Sequence, residues 1–392
     1  MISLTNMRRV DSWIGWPLAT LVGLLPRSAR TLPVAPREIV IVKLHGLGSL
    51  LVCAGVLRAL RTAQPQARLT VVTLAGTAPA ARMMPDVDEV LVISASGVGM
   101  LLRDSWRVWR ELRRRRVDVI ADIEYFSKLS TVFAAISGAR FRFGFQLPAH
   151  WRRRLLDGGV AFREDIHFRE CVARLFHPLG VDYQKIPDVK MSVPDEVARA
   201  AGLLLSEIAP DAKAWAVINP QASDLCRQRR WPLERFAGVA TALLQRHADL
   251  HIAIPGTADE KPLAEQLQKR MPLELQSRVH VLAGRTNLPV LAAVLQRGQL
   301  VLTNDSGVMH VAAAVGAPLV ALFGPESAVR YGPVGGGAMR VLLGQVPCGP
   351  CLCYMNHKRA PCDAEPAACM LAIPVADVLA ACEMVMALAT TK

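Results

Sequence analysis

The chain has 392 residues, 52% of them hydrophobic, which is long and apolar enough for two domains that each bury a core. Its formal net charge of +13 points to an acidic partner, whether nucleic acid, anionic lipid or a phosphorylated substrate. Aromatic residues make up only 5% and no nucleic-acid motif is present, so nucleic acid is set aside in favour of lipid or phosphorylated glycan.

Residues 1–36 read as an N-terminal arm outside the globular part. Trp13 to Leu25 is apolar and flanked by Arg8, Arg9, Arg27 and Arg30. It is too short to span a bilayer, which takes about 20 apolar residues. Pro17 interrupts the apolar run and no convincing cleavage site follows, which weighs against a signal peptide. Two readings remain, an interfacial segment with Trp13 and Trp16 at headgroup level and a simple packing arm.

A first domain is expected over 37–208. Arg37 to Leu44 reads as a buried strand, and His45-Gly46-Leu47-Gly48-Ser49 as a tight turn into a helix. A dinucleotide fingerprint would need glycine at position 51, which is Leu51, and the strand Leu69 to Leu74 ends without the acidic residue that holds a ribose. NAD binding is therefore disfavoured. Val98 to Arg116 reads as an amphipathic helix with Arg103, Arg107, Arg110 and Arg114 on one face beside Trp106 and Trp109. With the cluster Trp151-Arg152-Arg153-Arg154, that face is either a solvated basic surface or one that rests on anionic lipid. The strand Val117 to Ile123 carries Glu124 to the carboxyl edge of the sheet, and Asp122, two residues earlier, points the same way by strand alternation.

The domain boundary is expected near Ser206 to Lys213, with a second domain over 209–373. Its strands are Trp215 to Ile218, Leu250 to Ile254, Val279 to Leu282, Leu300 to Thr303 and Pro318 to Phe323. Between the last two lie Asn304-Asp305-Ser306-Gly307 and a helix that ends at Gly316, a parallel crossover whose ligand side is beyond the carboxyl ends of the strands. The first N–H groups of that helix lack partners and carry partial positive charge, Gly307 permits close approach, and His310 stands one turn in. These features suit a phosphate. Asp305 is expected to cap the helix, accept from a sugar hydroxyl or orient His310. Five of the nine cysteines fall in 348–369, and Cys348, Cys351, Cys362 and Cys369 have the spacing of a structural zinc site in a reducing cytoplasm, plain thiols being the alternative. Residues 374–392 form a last helix.

Asp305-Ser306-Gly307-x-x-His310-x-Ala-Ala-Ala, followed by Gly316-x-Pro318-x-Val-Ala-Leu-Phe-Gly-Pro and a later Tyr331-Gly-Pro, resembles the nucleotide-sugar site of glycosyltransferase family 9, the ADP-heptose:lipopolysaccharide heptosyltransferases. The resemblance implies an α/β GT-B fold, two Rossmann-like domains facing a central cleft, with a last helix that often crosses back onto the first domain. It implies inverting transfer from a nucleotide diphosphate sugar to a phosphorylated glycolipid acceptor, with no cofactor required for catalysis. Arg229 matches the family's lysine on the donor diphosphate, a site completed by Asp305, Ser306, Gly307 and His310, and Asp259 or Glu260 matches its acidic ribose ligand. Lys43 and Gly48 match the acceptor-side loop, where the family carries its general base, an aspartate, at the position of Ser49. A serine has no useful proton affinity near neutral pH, so Glu124, His45 and Asp122 are the candidate bases, in that order. A chain impaired in transfer that only binds a nucleotide sugar is the alternative. The expected location is the cytoplasm, peripheral on the inner face of the cytoplasmic membrane.

Overall fold

A computed structural model describes residues 11–25, 30–125, 127–147, 151–223, 226–353 and 359–390. Arg8, Arg9 and Arg27, part of the expected basic flank of the arm, lie outside the described residues. The chain divides into two units, Met1–Pro187 and Asp188–Lys392.

In the first unit, β1 (Glu38–Val42), β2 (Arg68–Leu74), β3 (Glu89–Ile93), β4 (Val119–Asp122), β5 (Phe141–Gln146) and β6 (Gly158–Ala161) form one sheet in the order β3-β2-β1-β4-β5-β6. Every pairing is parallel, with Val42 opposite Val72 on one side and Asp122 on the other. The central strands are buried along their length, the pattern of a sheet covered on both faces. Val40, Val42, Val72, Ile120, Val108 and Leu112 share one core, the last two from the helix Val98–Arg115.

In the second unit, β7 (Ala214–Asn219), β8 (Leu250–Ile254), β9 (Val279–Val281), β10 (Leu300–Asn304), β11 (Leu319–Phe323) and β12 (Met339–Leu343) form a second parallel sheet, ordered β12-β11-β10-β7-β8-β9. Counted from its own first strand, each sheet has the Rossmann order 3-2-1-4-5-6. The strand order therefore reverses between β1 and β4 in one sheet and between β7 and β10 in the other. Ligands of such sheets bind at that point, beyond the carboxyl ends of the strands.

The helix Asp195–Ile208 belongs to the second unit, where it packs on the helix Leu288–Arg297 and is tied by Arg297 Nη2 to the Ala198 carbonyl at 3.0 Å. The break between the units therefore falls before this helix, at Pro187, because the helix packs on the helix Leu288–Arg297. The C-terminal helix Val375–Thr390 packs on the helix Leu233–Arg246 and on β10, β11 and β12 of its own unit. The arm helix Gly15–Gly23 lies on the helix Lys128–Ile136, with Gly15 and Ala19 buried, while Trp13, Leu21 and Leu24 are 82%, 62% and 71% exposed. Among the described residues no helix is long and apolar enough to cross a membrane.

Candidate active site

The carboxyl ends of β7 and β10 are joined by side chains. Asn219 at the end of β7 donates from Nδ2 to Thr303 Oγ1 at 3.0 Å and to Ser306 Oγ at 3.2 Å. Asn304, at the end of β10, accepts from the Trp231 N–H at 3.0 Å and donates to the Pro220 carbonyl at 2.8 Å. Trp231 is itself buried, with its indole N–H on the Ile373 carbonyl. This buried network ties the two strand ends together, although Asn219 Oδ1 has no partner among the described residues. It holds the segment 227–231 against the turn after β10.

The helix Gly307–Val315 begins there with Ser306 as its N-cap, accepting from the Met309 N–H at 3.4 Å. The cap is thus Ser306, and Asp305 is turned to another task. Its Oδ2 pairs with Arg229 Nη1 at 3.1 Å, the two side chains being 6% and 17% exposed. Burial opposes the Arg229 charge, but the Asp305 carboxylate more than answers it and holds the guanidinium protonated above its ordinary range. His310 is buried in the first turn of the same helix. Arg229, from the segment after β7, is therefore brought to Asp305, which stands in one run with Ser306, Gly307 and His310. The ribose candidates part company. Glu260 forms a capping box with Thr257, accepting its N–H at 2.7 Å, whereas Asp259 is exposed.

Sequence reasoning missed Asn219, Thr303 and Glu326. Glu326 follows β11, is buried, adds to the charge that favours the Arg229 cation, and bonds the Ser327 N–H at 2.9 Å. None has a local pattern, since each is a single polar residue at a strand end.

At the reversal point of the first sheet, Lys43 and Glu124 form a buried ion pair, Nζ to Oε1 at 3.0 Å. The same Oε1 accepts the His45 N–H at 2.7 Å. Burial pushes the Glu124 carboxyl up, but Lys43, His45 and the hydrogen bonds pull it below its ordinary value, so it is a carboxylate. Asp122 does not share that aspect. The strand ends at Asp122, whose carboxylate turns into the protein and accepts from Ser130 Oγ at 3.1 Å, Thr131 Oγ1 at 2.7 Å, the Glu124 N–H at 3.1 Å and the Arg152 guanidinium. Ser49 Oγ donates to the Gly46 carbonyl at 2.9 Å. Gly46 has φ +82°, and a Cβ there would stand 2.5 Å from Ser49 Oγ. Only glycine fits that turn.

Burial, and then the neighbouring thiols of Cys362, Cys369, Cys226 and Cys348, push the Cys351 thiol up to about 11. Among the described residues no three metal-ligating side chains converge on one point.

Residues 105–360 match glycosyltransferase family 9 (heptosyltransferase). The chain belongs to that family. It is a glycosyltransferase with the GT-B fold, each unit one Rossmann-like domain. It is 41% identical over 100 residues to lipooligosaccharide heptosyltransferase 2 of Haemophilus influenzae, a stretch covering 25% of this chain and 28% of that one. A longer match is to lipopolysaccharide heptosyltransferase 2 of Salmonella typhimurium, 24% identical over 302 residues, 74% of this chain and 83% of the relative. The structure of E. coli ADP-heptose LPS heptosyltransferase II superposes with a TM-score of 0.72 over 90% of this chain and 99% of that one, at 21% identity.

Proposed function

We propose that the protein is an inverting heptosyltransferase that moves a heptose-like sugar from an ADP-linked donor to a lipopolysaccharide core or related phosphorylated glycolipid. The observation that carries this reading is the Arg229–Asp305 pair beside the helix start at Ser306, at the strand-order reversal of the second sheet. A diphosphate there takes the N–H groups of the first turn that Ser306 does not cap, a ring N–H of His310 and the guanidinium, which exchanges Asp305 for phosphate oxygens. These donors meet the charge that grows on the departing nucleotide, so the reading asks for no cofactor. Asp259 is the ribose ligand in this scheme, Glu260 being engaged in its cap. The second unit holds the donor and the first receives the acceptor.

Location at an anionic membrane surface is part of the proposal. The arm helix turns Trp13, Leu21 and Leu24 outward, and the helix Val98–Arg115 exposes Val98, Leu102 and Trp106 among Arg103, Arg107, Arg110 and Arg114. Such faces suit the boundary between headgroups and acyl chains. The cytoplasmic face is where a nucleotide sugar is supplied.

Ser49 favours a second reading, donor binding without transfer. One experiment separates the two: the full chain is incubated with ADP-heptose, with and without lipopolysaccharide acceptor, while ADP release, acceptor mass and ADP binding are followed. Acceptor-dependent ADP release with a heavier acceptor is expected. Binding without release leaves the second reading, and neither binding nor release rejects both.

A further inference from the structure

We infer that Asp11 is a positioning residue for the transfer: by clamping the first turn of the helix Lys128–Ile136 it makes the N-terminal arm a brace for the acceptor-side carboxylates. This role rests on the reading above, in which the first unit receives the acceptor.

The N–H groups in the first turn of a helix have no partner within the helix. In the helix Lys128–Ile136 two of them are met from the arm. Asp11 Oδ2 accepts the Lys128 N–H at 3.0 Å, while Oδ1 accepts the Leu129 N–H at 2.9 Å and the Ser127 hydroxyl at 2.9 Å. Ser127 Oγ takes the next, the Ser130 N–H, at 3.1 Å. Ser127 is thus the local cap, and Asp11, 116 residues before it, is a second cap carried in by the arm. Its carboxylate stands at the positive end of the helix dipole.

The rest of the arm is seated on the same surroundings. Gly15 lies so close to the helix that a Cβ there would stand 2.8 Å from Lys128 Cβ. Lys128 Nζ is 5.5 Å from the centroid of the Trp16 ring, and the Trp16 and Trp151 rings are 6.0 Å apart. Ala19, Val132, Ala135 and Leu155 share a small core on which Val22 and Trp151 pack. The arm therefore holds the helix Lys128–Ile136 and the turn Trp151–Arg154 together.

Those two elements supply the groups that fix the carboxylates. Ser130 Oγ and Thr131 Oγ1, in the clamped turn, donate to Asp122 at 3.1 Å and 2.7 Å. Arg152 bonds Asp122 and, from Nη1 at 2.7 Å, the Glu124 carbonyl. Asp122 in turn accepts the Glu124 N–H, and Glu124 holds Lys43 and the N–H of His45. Helix ends fray when their caps are lost. Without Asp11 the turn that carries Ser130 and Thr131 loosens, and the grip on Asp122 and Glu124 loosens with it.

The test uses the full chain with ADP-heptose and lipopolysaccharide acceptor, comparing wild type with Asp11→Ala, which removes the clamp, and with Gly15→Val, which keeps Asp11 but wedges the arm off Lys128. A misplacement of about 1 Å can cost about 10²-fold in rate, so each variant is expected to lower kcat/KM for the acceptor roughly 10- to 100-fold. ADP affinity is expected to stay at the wild-type value. Amide hydrogen exchange should quicken over 127–131 while β1 and β2 keep their protection, the mark of a local opening. Protection lost across the whole first sheet shows a role in folding alone and overturns the inference. So does a kcat/KM within threefold of wild type in either variant. Wild-type protein that releases no ADP overturns the transfer reading and the positioning role with it.

Discussion

Replacing Arg229 with Gln separates what the Arg229–Asp305 pair does for the fold from what it does for the donor. Asp305 is 6% exposed on its side chain, so loss of its cation leaves a carboxylate with little access to water. Breaking a fully buried pair from one side costs about 3–5 kcal/mol. Arg229 is 17% exposed, and water entering on that side brings the expected cost to about 2–3 kcal/mol, read from denaturant unfolding. Asp305→Asn added to Arg229→Gln removes the stranded charge and should recover most of that stability. Donor binding should respond differently. A hydrogen bond from a charged group contributes about 1.5–3 kcal/mol, so ADP affinity by calorimetry should fall roughly 10- to 140-fold at 1.4 kcal/mol per tenfold. It should remain weak in the double variant. If the double variant binds ADP as wild type does, Arg229 only neutralises Asp305 and the diphosphate is held elsewhere.

Other outcomes follow from the same structure. His251 and His280 stack with Nδ1 to Nε2 at 3.0 Å, and burial pushes both below the ordinary histidine value of 6.5. A depressed histidine stabilises the fold above its unfolded value and loses that contribution as pH falls. Unfolding free energy should therefore drop between pH 7.5 and 5.5, and His280→Gln should flatten the slope; an unchanged slope refutes the point. Gly335→Ala places a Cβ 1.9 Å from the Ala313 carbonyl oxygen and should cost about 1–3 kcal/mol in chemical denaturation. Binding to vesicles containing anionic lipid should weaken with added salt, and weaken further in a Trp13→Ala, Leu21→Ala, Leu24→Ala triple variant. Equal binding to neutral vesicles, or none, removes the membrane proposal.

The proposed donor half of the site is legible in the sequence because most of it is contiguous. Leu300 to His310 is strand, turn and helix start in one run, and the central strands, buried on both faces, appear as unbroken apolar stretches. Edge strands are harder to see. β6 is Gly158-Gly159-Val160-Ala161, and β12 carries Arg340 at its second position. β5 contains Arg142, a buried charge that reads as surface until Asp157, fifteen residues on, is seen to pair with it at 2.7 Å. The same long reach hid the roles of the acceptor-side carboxylates. Position alone ranks Glu124 as a base, while its ion pair with Lys43, 81 residues back, shows it already in service. Asp122 looks like its twin until Arg152 and the Lys128–Ile136 helix are placed around it.

The two sheets share one wiring diagram, and no strand of either is borrowed by the other. Exchanging one winding for a relative's, with the cut at Pro187, would sever no β ladder. If the first winding receives the acceptor and the second the donor, as proposed, descent can retune which glycan is decorated through drift in the first while the grip on the nucleotide in the second is inherited unaltered. Chimeras joined at that residue are the natural way to transplant a new preference.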